Sequence, residues 1–140
     1  YVSRALQLIK MIQTNLSDYL NDPRYSFVTN WFWQRAMDAV QLKKMKWKLE
    51  VMNKYHDQLL KYYQPKIILC IGNGETYSAF AGMVSVHGVA ADQIKRQKYI
   101  DRSALKWFRK NDRLTLGIPH LSRYEVRQDL IDWLNKLMDE

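Results

Sequence analysis

Lys66-Ile67-Ile68-Leu69-Cys70-Ile71-Gly72 is an unbroken apolar run opened by a lysine and closed by a glycine. It is too short for a globular helix and lacks the alternation of a half-exposed strand. It therefore predicts a strand buried on both faces, the pattern of a parallel sheet. Gln64-Pro65 ends the segment before it, a helix over 46–63 in which Leu49, Met52, Tyr55, Leu59 and Tyr63 recur at three- and four-residue spacing. After it, Gly72-Asn73-Gly74 is a tight turn into a helix near 75–83.

The same reading extends outward. Residues 3–20 carry Ala5, Leu8, Ile9, Ile12, Leu16 and Tyr19 at helical period, stopped by the turn signal Asn21-Asp22-Pro23-Arg24. Tyr25 to Trp33 is dense in aromatic and β-branched residues and reads as a buried strand over 25–31, with a helix over 26–40 as the competing reading. Arg113 to Pro119 is a second strand-like run. Glu125 to Met138 is an amphipathic helix with Val126, Leu130, Trp133, Leu134 and Leu137 on one side. The stretch from His87 to Lys110 has no clear period; short strands at 84–86 and 97–100 and a helical turn at 103–110 are its best assignments. Strands alternating with helices imply one α/β domain over 1–140, a three-layer α/β/α arrangement around a short, mainly parallel central sheet. In such folds the functional crevice lies outside the carboxyl ends of the strands.

Charge narrows the partner. The chain carries a net +8, and +6 of it falls between Lys95 and Arg113, where eight basic residues face only Asp101 and Asp112. A basic segment of this kind favours a polyanion, DNA first, with a protein partner as the alternative. Tyr99, Trp107 and Phe108 interleave the cations, the composition of a phosphate track with stacking platforms. Trp107 and Phe108 suit inward packing as well, and Lys106, Arg109 and Lys110 remain phosphate contacts in either case. The single cysteine, Cys70, excludes an internal disulfide and a multi-cysteine zinc site, and fits an intracellular setting, cytoplasm or nucleus. No apolar run reaches membrane-spanning length. The Gly72-Asn73-Gly74-Glu75 turn lacks the spacing of a nucleotide-binding loop, and His56, His87 and Cys70 form no metal-ligand pattern, so neither cofactor nor metal is expected.

The segment Gly117-Ile118-Pro119-His120-Leu121-Ser122-Arg123-Tyr124 ends the second run. Ser122 and Glu125 have capping-box spacing, which leaves His120 and Arg123 unexplained. A strand, a His-x-Ser motif with a basic residue and then a helix resembles the last motif of the uracil-DNA glycosylase superfamily. Upstream, "QLLKYYQPKIILCIGN" resembles the helix–Pro–strand–Gly segment of those enzymes, and "YSFVTN" resembles the strand whose terminal asparagine reads the target base. The resemblance implies DNA binding and N-glycosidic base excision. It gives Asn30 the base edge, which a carboxamide can match with a donor and an acceptor. His120 would stabilise the negative charge on the departing base. Ser122 and Arg123 would hold a DNA phosphate, and Leu121 or Tyr124 would wedge into the gap left by the flipped base. Two departures accompany it. Leu121 stands where the family has proline, and no strand precedes the first helix to carry the water-positioning acid or amide. Glu75 is the nearest carboxylate by motif position, and nothing recommends it as a substitute. The chain opens Tyr1-Val2-Ser3 and accordingly reads as the C-terminal part of a larger glycosylase-like domain.

Overall fold

A computed structural model describes residues 4, 7, 8, 11, 49–121 and 125–140. The chain divides into two compact units, Asn30–Pro119 and Tyr1–Thr29 together with His120–Glu140.

The first unit contains α1 (Leu49–Tyr63), β1 (Ile67–Ile71), α2 (Ala79–His87), β2 (Lys95–Lys98), β3 (Ala104–Lys110) and β4 (Arg113–Ile118). Met52, His56 and Leu60 form the buried line of α1, one position round from the line expected through Leu59 and Tyr63. Gln64 ends this helix in the left-handed region, φ 47°, with its N–H donating to the Leu60 carbonyl (2.8 Å), and Pro65 prevents continuation. Ser78 caps α2, its hydroxyl accepting from Ala81 N at 3.1 Å, and Gly88 closes it in the left-handed conformation.

The strands form one sheet in the order β1-β4-β3-β2. Among the described residues β1 and β4 are the one parallel pair, while β4–β3 and β3–β2 are antiparallel. The molecule is α/β as expected, but the sheet is mixed rather than mainly parallel. The difference arises in the basic segment. Residues 84–86 belong to α2, and the predicted helical turn at 103–110 is a seven-residue strand. Asn111 and Asp112 both have positive φ, 56° and 57°, as a two-residue type I′ hairpin turn requires. That turn folds β4 back along β3 with Lys110 opposite Arg113.

Side chains alternate across the sheet. On one face, Cys70, Phe108 and Ile68 pack with Leu60, Phe80 and Met83 from the helices; Phe80 and Phe108 lie 5.7 Å apart between ring centroids. On the other, Leu105, Leu114, Leu116 and Ile118 are buried. β1, expected to be buried on both faces, buries only Cys70 and leaves Ile67 38% exposed, because β4 is its only strand partner among the described residues.

In the second unit, Arg4, Gln7, Leu8 and Met11 are helical and Leu8 is fully buried. α3 (Gln128–Asp139) buries Leu130, Ile131, Trp133, Leu134 and Leu137. It begins at Gln128 with Arg127 at the cap and no capping side chain. Glu125 thus precedes the helix by three residues and cannot be the third residue of a capping box. The predicted strand at 25–31 and most of the helix at 3–20 lie outside the described residues.

Candidate nucleic-acid interface

Strand β2 carries Lys95, Arg96, Gln97 and Lys98, and all four are exposed. Its turn into β3 places Asp101 at φ 55°, with Ser103 N donating to Ile100 O and Tyr99 N donating to Ser103 O, each at 3.0 Å. Arg102 on this turn and Arg109 on β3 are exposed too. Five of the eight cations expected to form a phosphate track are therefore exposed, although Arg96 among them is already paired with Glu75.

The other three turn inward. Lys106 is 7% exposed, its ammonium donating to the Asn73 carbonyl (2.6 Å) and to Glu75 Oε1 (3.2 Å). Lys110 donates to Gly88 O at 3.1 Å, and Arg113 donates to Pro65 O at 2.7 Å. This corrects the expectation for Lys106. Its charge is consumed inside the fold, so it serves the loop after β1 rather than a phosphate. Arg109 keeps the exposure its expected role needs, and Lys110 is half-buried.

That loop is built tightly at the carboxyl ends of β1 and β4. Gly72 adopts φ 116°, which a side chain would disfavour, and its N–H donates to Ile118 O at 2.9 Å. Asn73 is buried, and its carboxamide nitrogen donates to Gly117 O (2.9 Å) and Ala104 O (2.6 Å), bridging β4 and the start of β3. A Cβ on Gly117 would meet the Phe80 ring at 2.5 Å, so only glycine lets α2 approach here. Glu75 accepts from Arg96 Nη1 at 2.8 Å and from Lys106. Those hydrogen bonds, Arg96 first and Lys106 second, hold its carboxyl below the usual range. A carboxylate so stabilised is a poor proton acceptor.

The remaining expected site residues fall as follows. His120 is exposed two residues beyond β4, after a buried Pro119, and is engaged in interactions of its own. Leu121 is 1% exposed and its carbonyl accepts from Arg4 Nη1 at 2.8 Å. A wedge must present its side chain to the duplex, and this one is packed away. Asn30, Ser122, Arg123 and Tyr124 lie outside the described residues. Phe108 is buried as expected and Trp107 is half-buried. Burial pushes the Cys70 thiol up to about 12, so it is an inert core group. Among the described residues, no three His, Cys, Asp or Glu side chains gather to hold a metal, and no helix is long and apolar enough to cross a membrane.

Sequence reasoning missed the Asn73–Lys106–Glu75–Arg96 network. The signal that could have found it is the Asn111-Asp112 pair between two strand-like runs. Once read as a hairpin turn, it fixes the register and places Lys106 opposite Gly117. Comparison of the chain with protein-family models, curated proteins and solved structures finds no match.

Proposed function

We propose that this chain is an intracellular DNA-binding domain of the uracil-DNA glycosylase-like kind, a three-layer α/β/α fold that grips the phosphate backbone through the β2–β3 hairpin. The observation that carries this reading is the outer strand: three cations among four consecutive exposed residues, continued by Arg102 and Arg109. Among the described residues β2 is an edge strand of the sheet, and its exposed cations release counterions when they meet phosphates. With an upstream segment supplying the water-positioning group, His120 would polarise the departing base and the domain would excise it. Without that segment the same domain is a non-enzymatic binder of nucleic acid or of a protein. The clamped state of Glu75 favours this second reading for the chain alone.

Binding to duplex DNA, followed by fluorescence anisotropy across a salt series, tests the proposal. Affinity falls steeply with salt, and each reversal among Lys95→Glu, Lys98→Glu and Arg102→Glu removes about 1 from the log–log salt slope. Salt-insensitive binding, or none, moves the hairpin to a protein partner. For excision, free base is released from uracil-containing DNA and His120→Ala lowers the rate by about 100- to 1,000-fold; unchanged turnover removes His120 from the mechanism.

A further inference from the structure

At the amino ends of β1 and β4, opposite the loop just described, a cleft of about 300 Å³ opens between the end of α1, the end of α2 and the β3–β4 turn. Its chemistry centres on Arg113. The guanidinium donates through Nε to Pro65 O (2.7 Å) and through Nη1 to His87 Nε2 (2.9 Å). His87 is buried, and its Nδ1 lies 2.7 Å from Met83 O. A carbonyl only accepts, so Nδ1 carries the proton and Nε2 is the acceptor of a neutral ring. Both partners of Arg113 are therefore uncharged. Among the described residues no carboxylate pairs with it.

The carboxylates that line the cleft are committed elsewhere. Asp57 pairs with Lys61 at 2.9 Å and Asp112 with Lys66 at 2.7 Å, both at the solvent-facing rim. Exposed pairs of this kind exchange readily for another anion. The lining thus holds three cations against two carboxylates, and the excess charge sits on a planar guanidinium already oriented by two hydrogen bonds. Guanidinium forks match phosphate oxygens bidentately, and a lysine adds a mobile point charge.

We infer that this cleft is a phosphate-monoester site, in which Arg113 and Lys66 hold the phosphate and His87 positions Arg113. The ligand is a phosphate monoester, the chemistry that a mononucleotide and the phosphorylated end of a strand share. The site lies apart from the hairpin and does not depend on it.

Titration calorimetry on the whole chain tests the assignment with four probes: inorganic phosphate, adenosine monophosphate, an end-phosphorylated oligonucleotide, and the same strand ending in a hydroxyl. Saturable binding of phosphate-monoester probes is expected. Lys66→Glu, at an exposed position, and Arg113→Lys should each weaken it at least about tenfold, the order expected for a lost charge-assisted contact. Inorganic phosphate and adenosine monophosphate have no strand for the hairpin to grip, so they report on this site alone and the two sites fail separately. Binding of the phosphorylated strand but not the mononucleotide supports a strand end as the ligand; equal binding supports a free nucleotide. The inference is overturned if inorganic phosphate and adenosine monophosphate fail to bind and the phosphorylated strand binds no tighter than the hydroxyl-ended one, or if Lys66→Glu leaves the affinity for every phosphate-monoester probe unaltered.

Discussion

The two ends of the four-stranded sheet use their cations in opposite ways. At the carboxyl ends of β1 and β4, Lys106 and Arg96 converge on Glu75, and Lys106 also holds the Asn73 carbonyl. At the amino ends, Arg113 is held by a carbonyl and a neutral imidazole, and its charge faces a cleft. The first arrangement closes a loop and the second leaves a charge to be answered. A basic segment is thus not one surface. Whether a cation binds outward is decided by what its strand register sets opposite it.

The contrast breaks most visibly at Lys106. Replacing it with methionine keeps the buried stem but leaves the Asn73 carbonyl and Glu75 without their donor. A loss of about 1–3 kcal/mol in urea unfolding is expected. Lys66→Met removes only an exposed pair, with side chains 76% and 88% exposed, and should leave the unfolding midpoint where it is. Equal effects at the two positions would mean that the carboxyl-end network is no more structural than a surface ion pair.

The positions in this comparison were unequally legible in the sequence. α1, β1, β4 and α3 were readable because each presents a sustained period or an unbroken apolar run. β2 and β3 were not. A strand that buries a lysine, as Ala104-Leu105-Lys106-Trp107-Phe108 does, breaks the polar/apolar alternation by which strands are recognised. The hairpin's charge was visible, but sorting Lys95 and Arg109 from Lys106 required the pairing of Lys106 with Gly117 and Arg96. Ser122 and Glu125 show the converse. Their spacing matched a capping box, yet α3 starts at Gln128, because the local pattern permits an earlier start without requiring it. The His87–Arg113 contact joins residues 26 apart and left no local trace.

Acid removes the contributions of His87 and Glu75 at different pH. Burial, as the first cause, holds His87 below its ordinary value, and the Arg113 charge pushes the same way. The unfolded chain binds a proton at this histidine near pH 6.5 while the folded chain does not, so the stability it contributes is present above about pH 6.5 and is lost as pH falls through the lower folded value. Glu75 is also depressed, chiefly by its hydrogen bond from Arg96. Its contribution holds above about pH 4.3 and is lost only below that. Denaturant unfolding measured across pH should therefore show two descending steps, and His87→Gln should remove the one at higher pH. A step near pH 6 that survives in the variant would assign it to another group and detach the amino-end cleft from the pH response.

Midway between the two ends, on the same face of β4, Thr115 sharpens the comparison from the apolar side. It is fully buried between Ile68 and Phe108 in the strand register, and its hydroxyl has no hydrogen-bond partner among the described residues. Lys106 is a buried polar group whose partners recover its desolvation; Thr115 is one whose desolvation is not recovered. Valine has the same branched shape without the hydroxyl, so Thr115→Val should shift the unfolding midpoint upward, by up to about 1 kcal/mol. A loss of stability instead would show that the hydroxyl is satisfied, for example by an enclosed water, and that the middle of this face obeys the same rule of paired polar groups as the Lys106 end.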